Sequence, residues 1–197
     1  MKKLFVAGVM CLTLAGLSVP QAHAGPYTVT LTQQGRNVVA NGSGFIDLSG
    51  LTFNAEYSSA SAALWPSNGY VNTGPTSSVP LDGYTGFTGP TSFGSGGGTS
   101  ASSGSGASVE IWGSPVQYGV SLLWVPSGYV SDNLLSDTST YDNATFASLG
   151  VTPGTYVWTW GMGANQSFTL DVPEPSSLAL LGAGLLGLVF LRRRKAA

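Results

Sequence analysis

The chain predicts an all-β body, an immunoglobulin-like or jelly-roll-like antiparallel β-sandwich, set between an N-terminal signal helix and a C-terminal transmembrane helix. Three observations carry this. Between Gly25 and Asp171 no stretch sustains a 3.6-residue apolar period, whereas several runs alternate apolar and polar residues with a period of two. The same interval is dominated by Gly, Ser, Thr and Asn, the residues of turns between short strands. The long apolar runs sit outside it, at the two ends of the chain. The expected organisation is therefore 1–24 as signal peptide, 25–171 as one exported domain and 172–197 as a tail.

At the N-terminus Lys2 and Lys3 precede an apolar run from Leu4 to Leu17, and Ala22-His23-Ala24 precedes Gly25. The run is shorter than the roughly 20 residues of a spanning helix, and small residues at Ala22 and Ala24 suit signal peptidase, so cleavage is expected between Ala24 and Gly25. Cys11 is preceded by the bulky Met10, which argues against lipid attachment.

In the body, Tyr27 to Thr32 and Asn37 to Asp47 read as an opening hairpin turning at Gln34-Gly35-Arg36. Phe93-Gly94 to Ser108 is nearly all Gly, Ser, Thr and Ala, and is expected to form a flexible loop over about 94–108. Val116, Tyr118, Val120, Leu122 and Trp124 alternate with other residues, which predicts a half-buried strand with its aromatic face inward. A closing hairpin is expected from Thr155–Trp160 and Ser167–Val172, with Tyr156, Trp158 and Trp160 on one face of the first strand and Phe168 and Leu170 on one face of the second. Leu149-Gly150-Val151-Thr152-Pro153-Gly154-Thr155-Tyr156 resembles the corner turn before a late strand of immunoglobulin-like and fibronectin-like sandwiches, which implies a Tyr156 hydroxyl bonded to nearby backbone.

The tail begins Val172-Pro173-Glu174-Pro175, continues as an apolar run from Leu178 to Leu191 and ends with Arg192, Arg193, Arg194 and Lys195 before two alanines. The prolines continue neither helix nor ladder, so Glu174 is expected in an extended, accessible segment. A helix from Ser176 to Leu191 would be about 24 Å long, close to a bilayer core once the arginines snorkel. The basic cluster acts as a stop-transfer signal that stays cytoplasmic, leaving the domain outside the inner membrane. This three-part arrangement resembles the PEP-CTERM sorting tail of Gram-negative bacteria. The resemblance covers about 25 residues, and it implies that Pro173, Glu174 and Pro175 are read by an exosortase that removes the helix. It further implies a periplasmic passage to the cell surface or extracellular space and a link to exopolysaccharide and biofilm.

Charge and chemistry bound the domain's activity. Arg36 is the sole base between Gly25 and Asp171, against Asp47, Glu56, Asp82, Glu110, Asp132, Asp137, Asp142 and Asp171, so nucleic acid is not an expected partner. The interval holds no His, Cys or Lys, which removes Ser-His-Asp, Cys-His, Schiff-base and zinc chemistry. Paired carboxylates would remain for glycoside hydrolysis among Asp47, Glu56, Asp82 and Glu110, but their spacing favours no pair, and the domain is expected not to be an enzyme. Leu64-Trp65-Pro66-Ser67-Asn68-Gly69-Tyr70-Val71 is echoed by Leu123-Trp124-Val125-Pro126-Ser127-Gly128-Tyr129-Val130. Trp65, Tyr70, Trp124 and Tyr129 are thus candidate sugar-stacking residues, with one turn chemistry used twice as the structural alternative. Asp132, Asp137 and Asp142, with Asn133 and Asn143, offer oxygens for calcium without EF-hand spacing, a solvated acidic loop being the alternative.

Overall fold

The computed structural model describes residues 25–174 apart from residue 60. The expected signal segment 1–24, Pro175, the expected transmembrane helix and the cluster Arg192, Arg193, Arg194 and Lys195 lie outside the described residues. The strands are β1 (Tyr27–Gln34), β2 (Asn37–Gly44), β3 (Thr52–Ser58), β4 (Ala63–Trp65), β5 (Tyr70–Thr73), β6 (Pro80–Thr85), β7 (Thr99–Ser100), β8 (Ser103–Gly106), β9 (Val109–Trp112), β10 (Leu122–Pro126), β11 (Leu135–Tyr141), β12 (Gly154–Thr159) and β13 (Ser167–Val172). Among the described residues a single α-helical turn, α1 (Phe146–Leu149), is closed by a capping box between Thr145 and Ser148.

Two sheets form, six strands in the order β12-β13-β1-β2-β11-β8 and seven in the order β3-β6-β10-β9-β5-β4-β7. Period-two alternation decides what each buries. In β1 Tyr27, Val29 and Leu31 point inward, as do Val109 and Ile111 in β9 and Leu123 and Val125 in β10, and all seven join one core between the sheets. Two features depart from the expected antiparallel sandwich of immunoglobulin or jelly-roll type. β1 pairs with β13 in parallel, Tyr27 opposite Phe168, and the described strands outnumber the seven to nine of an immunoglobulin domain and the eight of a jelly roll.

Both expected hairpins form. β1 and β2 pair from Thr28↔Ser43 to Gln34↔Asn37, turning at Gly35, whose φ of +62° suits a residue without a side chain. β12 pairs with β13, where Trp158 packs edge-on against Phe168 at 5.6 Å between ring centroids. The Tyr156 hydroxyl donates to the Thr152 carbonyl oxygen at 3.0 Å, the corner bond anticipated from the sequence.

Two expectations fail. Residues 115–120 are turn rather than strand: Gly119 N–H donates to the Pro115 carbonyl at 2.7 Å, Gly119 takes φ +74°, and Val116 is 85% exposed. Pro115 and Gly119 together close a turn that the alternation of their neighbours masks, so the strand begins only at Leu122. The stretch 94–108 is not a free loop either. It contains β7 and β8, which pair with β4 and β11, and it is tied further by Ala101 N–H to the Ala62 carbonyl at 2.8 Å and Ser95 N–H to the Gly150 carbonyl at 3.0 Å. Its glycines serve close approach. A Cβ on Gly96 would run into the Leu149 carbonyl, and one on Gly104 into the Gly74 carbonyl.

The sheets are also linked by polar groups inside the core. The Tyr27 hydroxyl donates to Asp137 Oδ2 on the same sheet and lies 3.1 Å from Thr73 Oγ1 on the other. Ser139 Oγ bridges between sheets too, accepting from Gly74 N–H at 3.0 Å and donating to the Gly74 carbonyl at 3.2 Å. Burial pushes the Asp137 carboxyl up to about 6, against the opposing pull of the Tyr27 hydroxyl.

Candidate ligand-binding site

The inward residues of β9 and β10 leave their alternates on the far face of the seven-stranded sheet. Two ladder rows run there side by side. In one, Gly83, Trp124, Glu110, Asn72 and Ala63 stand opposite one another across β6, β10, β9, β5 and β4. In the other, Leu122, Trp112, Tyr70 and Trp65 do the same across β10, β9, β5 and β4. The result is a second apolar cluster on the outer face, built on Tyr70, Leu81, Trp112, Leu122 and Trp124, with Tyr57 and Trp65 packed against it.

A cavity of about 330 Å³ opens into this cluster, lined by Tyr57, Trp65, Tyr70, Trp112, Tyr118 and Trp124, with Glu110, Leu81, Ala63 and several serines between them. Its rings form a continuous chain: Trp65 to Trp112 at 6.0 Å, Trp112 to Tyr118 at 5.3 Å, Tyr118 to Trp124 at 6.0 Å and Trp124 to Tyr57 at 5.6 Å between centroids. Tyr70 lies against Trp112 at 4.5 Å. The small residues of the first row make the room. A Cβ on Gly83 would lie 2.8 Å from Tyr57 Cε2 and 2.9 Å from Trp124 Nε1, too close for either ring to stay.

Among the described residues Glu110 is the one charged residue lining the cavity, and it is only 6% exposed. Its Oε2 accepts from the Tyr70 hydroxyl at 3.1 Å, while Oε1 is buried without a hydrogen-bond partner among the described residues, as are the indole nitrogens of Trp112 and Trp124. Burial pushes the Glu110 carboxyl up to about 7, the Tyr70 hydrogen bond opposing the rise. Tyr70 is raised in turn, by burial first and by the Glu110 charge second.

Three of the four aromatic residues singled out from the sequence therefore meet: Trp65, Tyr70 and Trp124. Tyr129 does not. Its hydroxyl accepts from Ile46 N–H at 3.1 Å and lies 2.7 Å from the Asn133 carbonyl oxygen, and its ring packs on the core between the sheets. The two echoed segments diverge at one position. Pro66 directly follows Trp65 and starts a 3-10 turn (Pro66–Asn68) that returns the chain as β5, pairing Trp65 with Tyr70. Val125 instead carries β10 on to Pro126, where the strand ends in a turn closed by Tyr129 N–H to the Pro126 carbonyl at 2.9 Å.

The carboxylates named as hydrolytic candidates do not pair. Asp47 accepts from Ser49 N–H at 2.8 Å and from the Gln166 amide at 3.1 Å, Asp82 accepts from Ser127 Oγ at 3.0 Å and Gly128 N–H at 2.8 Å, and Glu56 is exposed on β3. Among the described residues no second carboxylate lines the cavity with Glu110. The calcium set is dispersed as well. Asp132 and Asp142 flank opposite ends of β11, whose seven residues span roughly 23 Å, and Asp137 between them turns into the core toward Tyr27. Among the described residues no group of three metal-ligating side chains comes together.

Tyr57, Glu110, Trp112 and Tyr118 complete the site without standing out together in the sequence. Val109-Glu110-Ile111-Trp112 does carry a signal, two apolar residues alternating with two that face outward. The junction of domain and tail is also described in part. Val172 ends β13 as a buried core residue, and Pro173 and Glu174 follow it exposed.

Comparison with protein families decides what that junction is. Residues 171–195 match the PEP-CTERM protein-sorting motif. The PEP-CTERM motif implies exosortase-dependent sorting to the cell envelope, with export and a membrane-associated stage. The match begins at Asp171, so the PEP-CTERM segment shares its first two residues with the last strand of the sandwich. Comparisons with curated proteins and with solved structures return no match.

Proposed function

We propose that this is a non-enzymatic surface or extracellular-matrix protein whose sandwich binds carbohydrate in the outer-face cavity and whose setting is the exopolysaccharide of a biofilm. The observation that carries the reading is the convergence of six aromatic side chains from β3, β4, β5, β9, β10 and the 115–120 turn on one cavity. Aromatic rings present flat apolar faces that match the C–H faces of pyranose rings, while serines and indole N–H groups at their edges suit hydroxyls. A lone carboxylate suits binding better than glycoside hydrolysis, which uses two.

The placement of the tail fits the same role. β13, which leads into the tail, lies in the six-stranded sheet, whereas the cavity lies on the outer face of the other, so the strand that carries the tail lines no part of the cavity. In this reading signal peptidase cuts after Ala24, the apolar tail helix spans the inner membrane while the domain waits in the periplasm, and an exosortase then releases it to the surface. Affinity electrophoresis through gels containing host exopolysaccharide tests the binding claim. The exported protein should be retarded and its Trp112→Ala variant should migrate freely; equal mobility of both, with and without polysaccharide, would contradict it.

A further inference from the structure

Among the described residues Glu110 is a buried carboxylate with no base to pair with. Its two neighbours along the ladder row are Trp124 and Asn72, its hydrogen bond comes from a neutral tyrosine, and none of the residues lining the cavity is basic. Arg36, the one basic residue between Gly25 and Glu174, sits in the β1–β2 turn of the other sheet. A carboxylate in such a place is costly to ionise unless a cation reaches it. The rings around it are the surfaces that attract cations.

We propose that the cavity selects sugars bearing a free amine, the aromatic rings stacking on the pyranose while the Glu110 carboxylate receives the ligand's ammonium group. This rests on the carbohydrate-binding reading above and narrows it. The unpartnered atoms choose between cations. Glu110 Oε1 calls for a hydrogen-bond donor, which a primary ammonium has and a quaternary ammonium lacks. The indole N–H groups of Trp112 and Trp124 call for acceptors, which ring hydroxyls supply. A simple alkylamine would satisfy the first and not the second. The carboxyl, raised to about 7 by burial, is also a group whose ionised form an incoming cation stabilises.

Three tetrasaccharides that differ only at C2 test this: β-1,4-linked glucosamine, its fully N-acetylated counterpart and the corresponding glucose oligomer. Each is titrated by calorimetry into the full chain in a sugar-free detergent, with Glu110→Gln alongside. The amine tetramer is expected to bind about tenfold more tightly than the other two, and Glu110→Gln to bring all three to the same affinity. Equal binding of the three by the wild-type protein would overturn the amine preference while leaving sugar binding standing, and that result does not depend on whether the variant folds. A folded Glu110→Gln protein that keeps the preference would also overturn it. Binding of none of the three sinks the carbohydrate reading itself.

Discussion

The Tyr27 hydroxyl of β1 joins the Asp137 carboxylate of β11 to Thr73 Oγ1 of β5, so a single phenol ties the two sheets together through the middle of the core. Gly42 leaves the space for it, since a Cβ there would collide with both Tyr27 and Asp137. Tyr27→Phe keeps the ring and removes the donor, leaving a buried carboxyl with one partner fewer. The expected cost is about 1–3 kcal/mol in urea unfolding. A midpoint unchanged from wild type would show that the bond contributes nothing.

Stability should fall as pH rises. The folded-state values of Asp137, about 6, and Glu110, about 7, lie above the ordinary 3.8 and 4.5, so the native state holds protons that the unfolded chain gives up. Their contribution is complete below pH 4 and is lost as pH passes 6 and then 7, which for Glu110 alone amounts to roughly 3 kcal/mol. Thermal melts from pH 4.5 to 8 should show a declining Tm, and Glu110→Gln should flatten the upper part of the decline. A Tm that climbs over this range would contradict the assignment.

The Gly/Ser stretch offers a paired test of close packing. Gly96→Ala and Gly104→Ala place a methyl against a carbonyl oxygen, whereas Gly97→Ala meets nothing within 4 Å. The first two should lower stability by about 1–3 kcal/mol and the third leave it within about 0.5 kcal/mol of wild type. Three equal effects would mean that this stretch is not held against its neighbours.

In the proposed sorting step the processing enzyme reads the exposed segment after Val172, which begins with Pro173 and Glu174. Glu174→Ala is expected to leave the tail attached, read as an exported species heavier by the mass of the tail in intact-mass spectra. Removal at the wild-type rate would show that Glu174 is not part of what the processing enzyme reads.

What the sequence discloses follows from how local each signal is. The two hairpins, the Tyr156 corner and the sorting tail rest on residues near one another in the chain, and they are legible. The 115–120 turn escapes because Val116, Tyr118 and Val120 imitate a strand while Pro115 and Gly119 set the backbone. The order of the 94–108 stretch is hidden because composition reports what a segment can bury by itself, and its glycines instead fit against carbonyls of Gly74 and Leu149. The cavity is half legible. Trp65, Tyr70 and Trp124 stand out in the echoed segments, but Glu110 and Trp112 join them only through the β5–β9–β10 register, which no local pattern encodes.

Binding in the outer-face cavity would engage some of the five tryptophans and not others, and this division tests it. Trp65, Trp112 and Trp124 line the cavity, while the Trp158 and Trp160 indoles are tied elsewhere, to the Pro90 and Asp47 carbonyls at 2.8 and 2.7 Å. Indole N–H resonances of the ¹⁵N-labelled exported protein, followed during addition of the glucosamine tetrasaccharide, should shift for the first three and stay in place for Trp158 and Trp160. Five unmoved resonances at millimolar ligand, or shifts centred on Trp158 and Trp160, would contradict it.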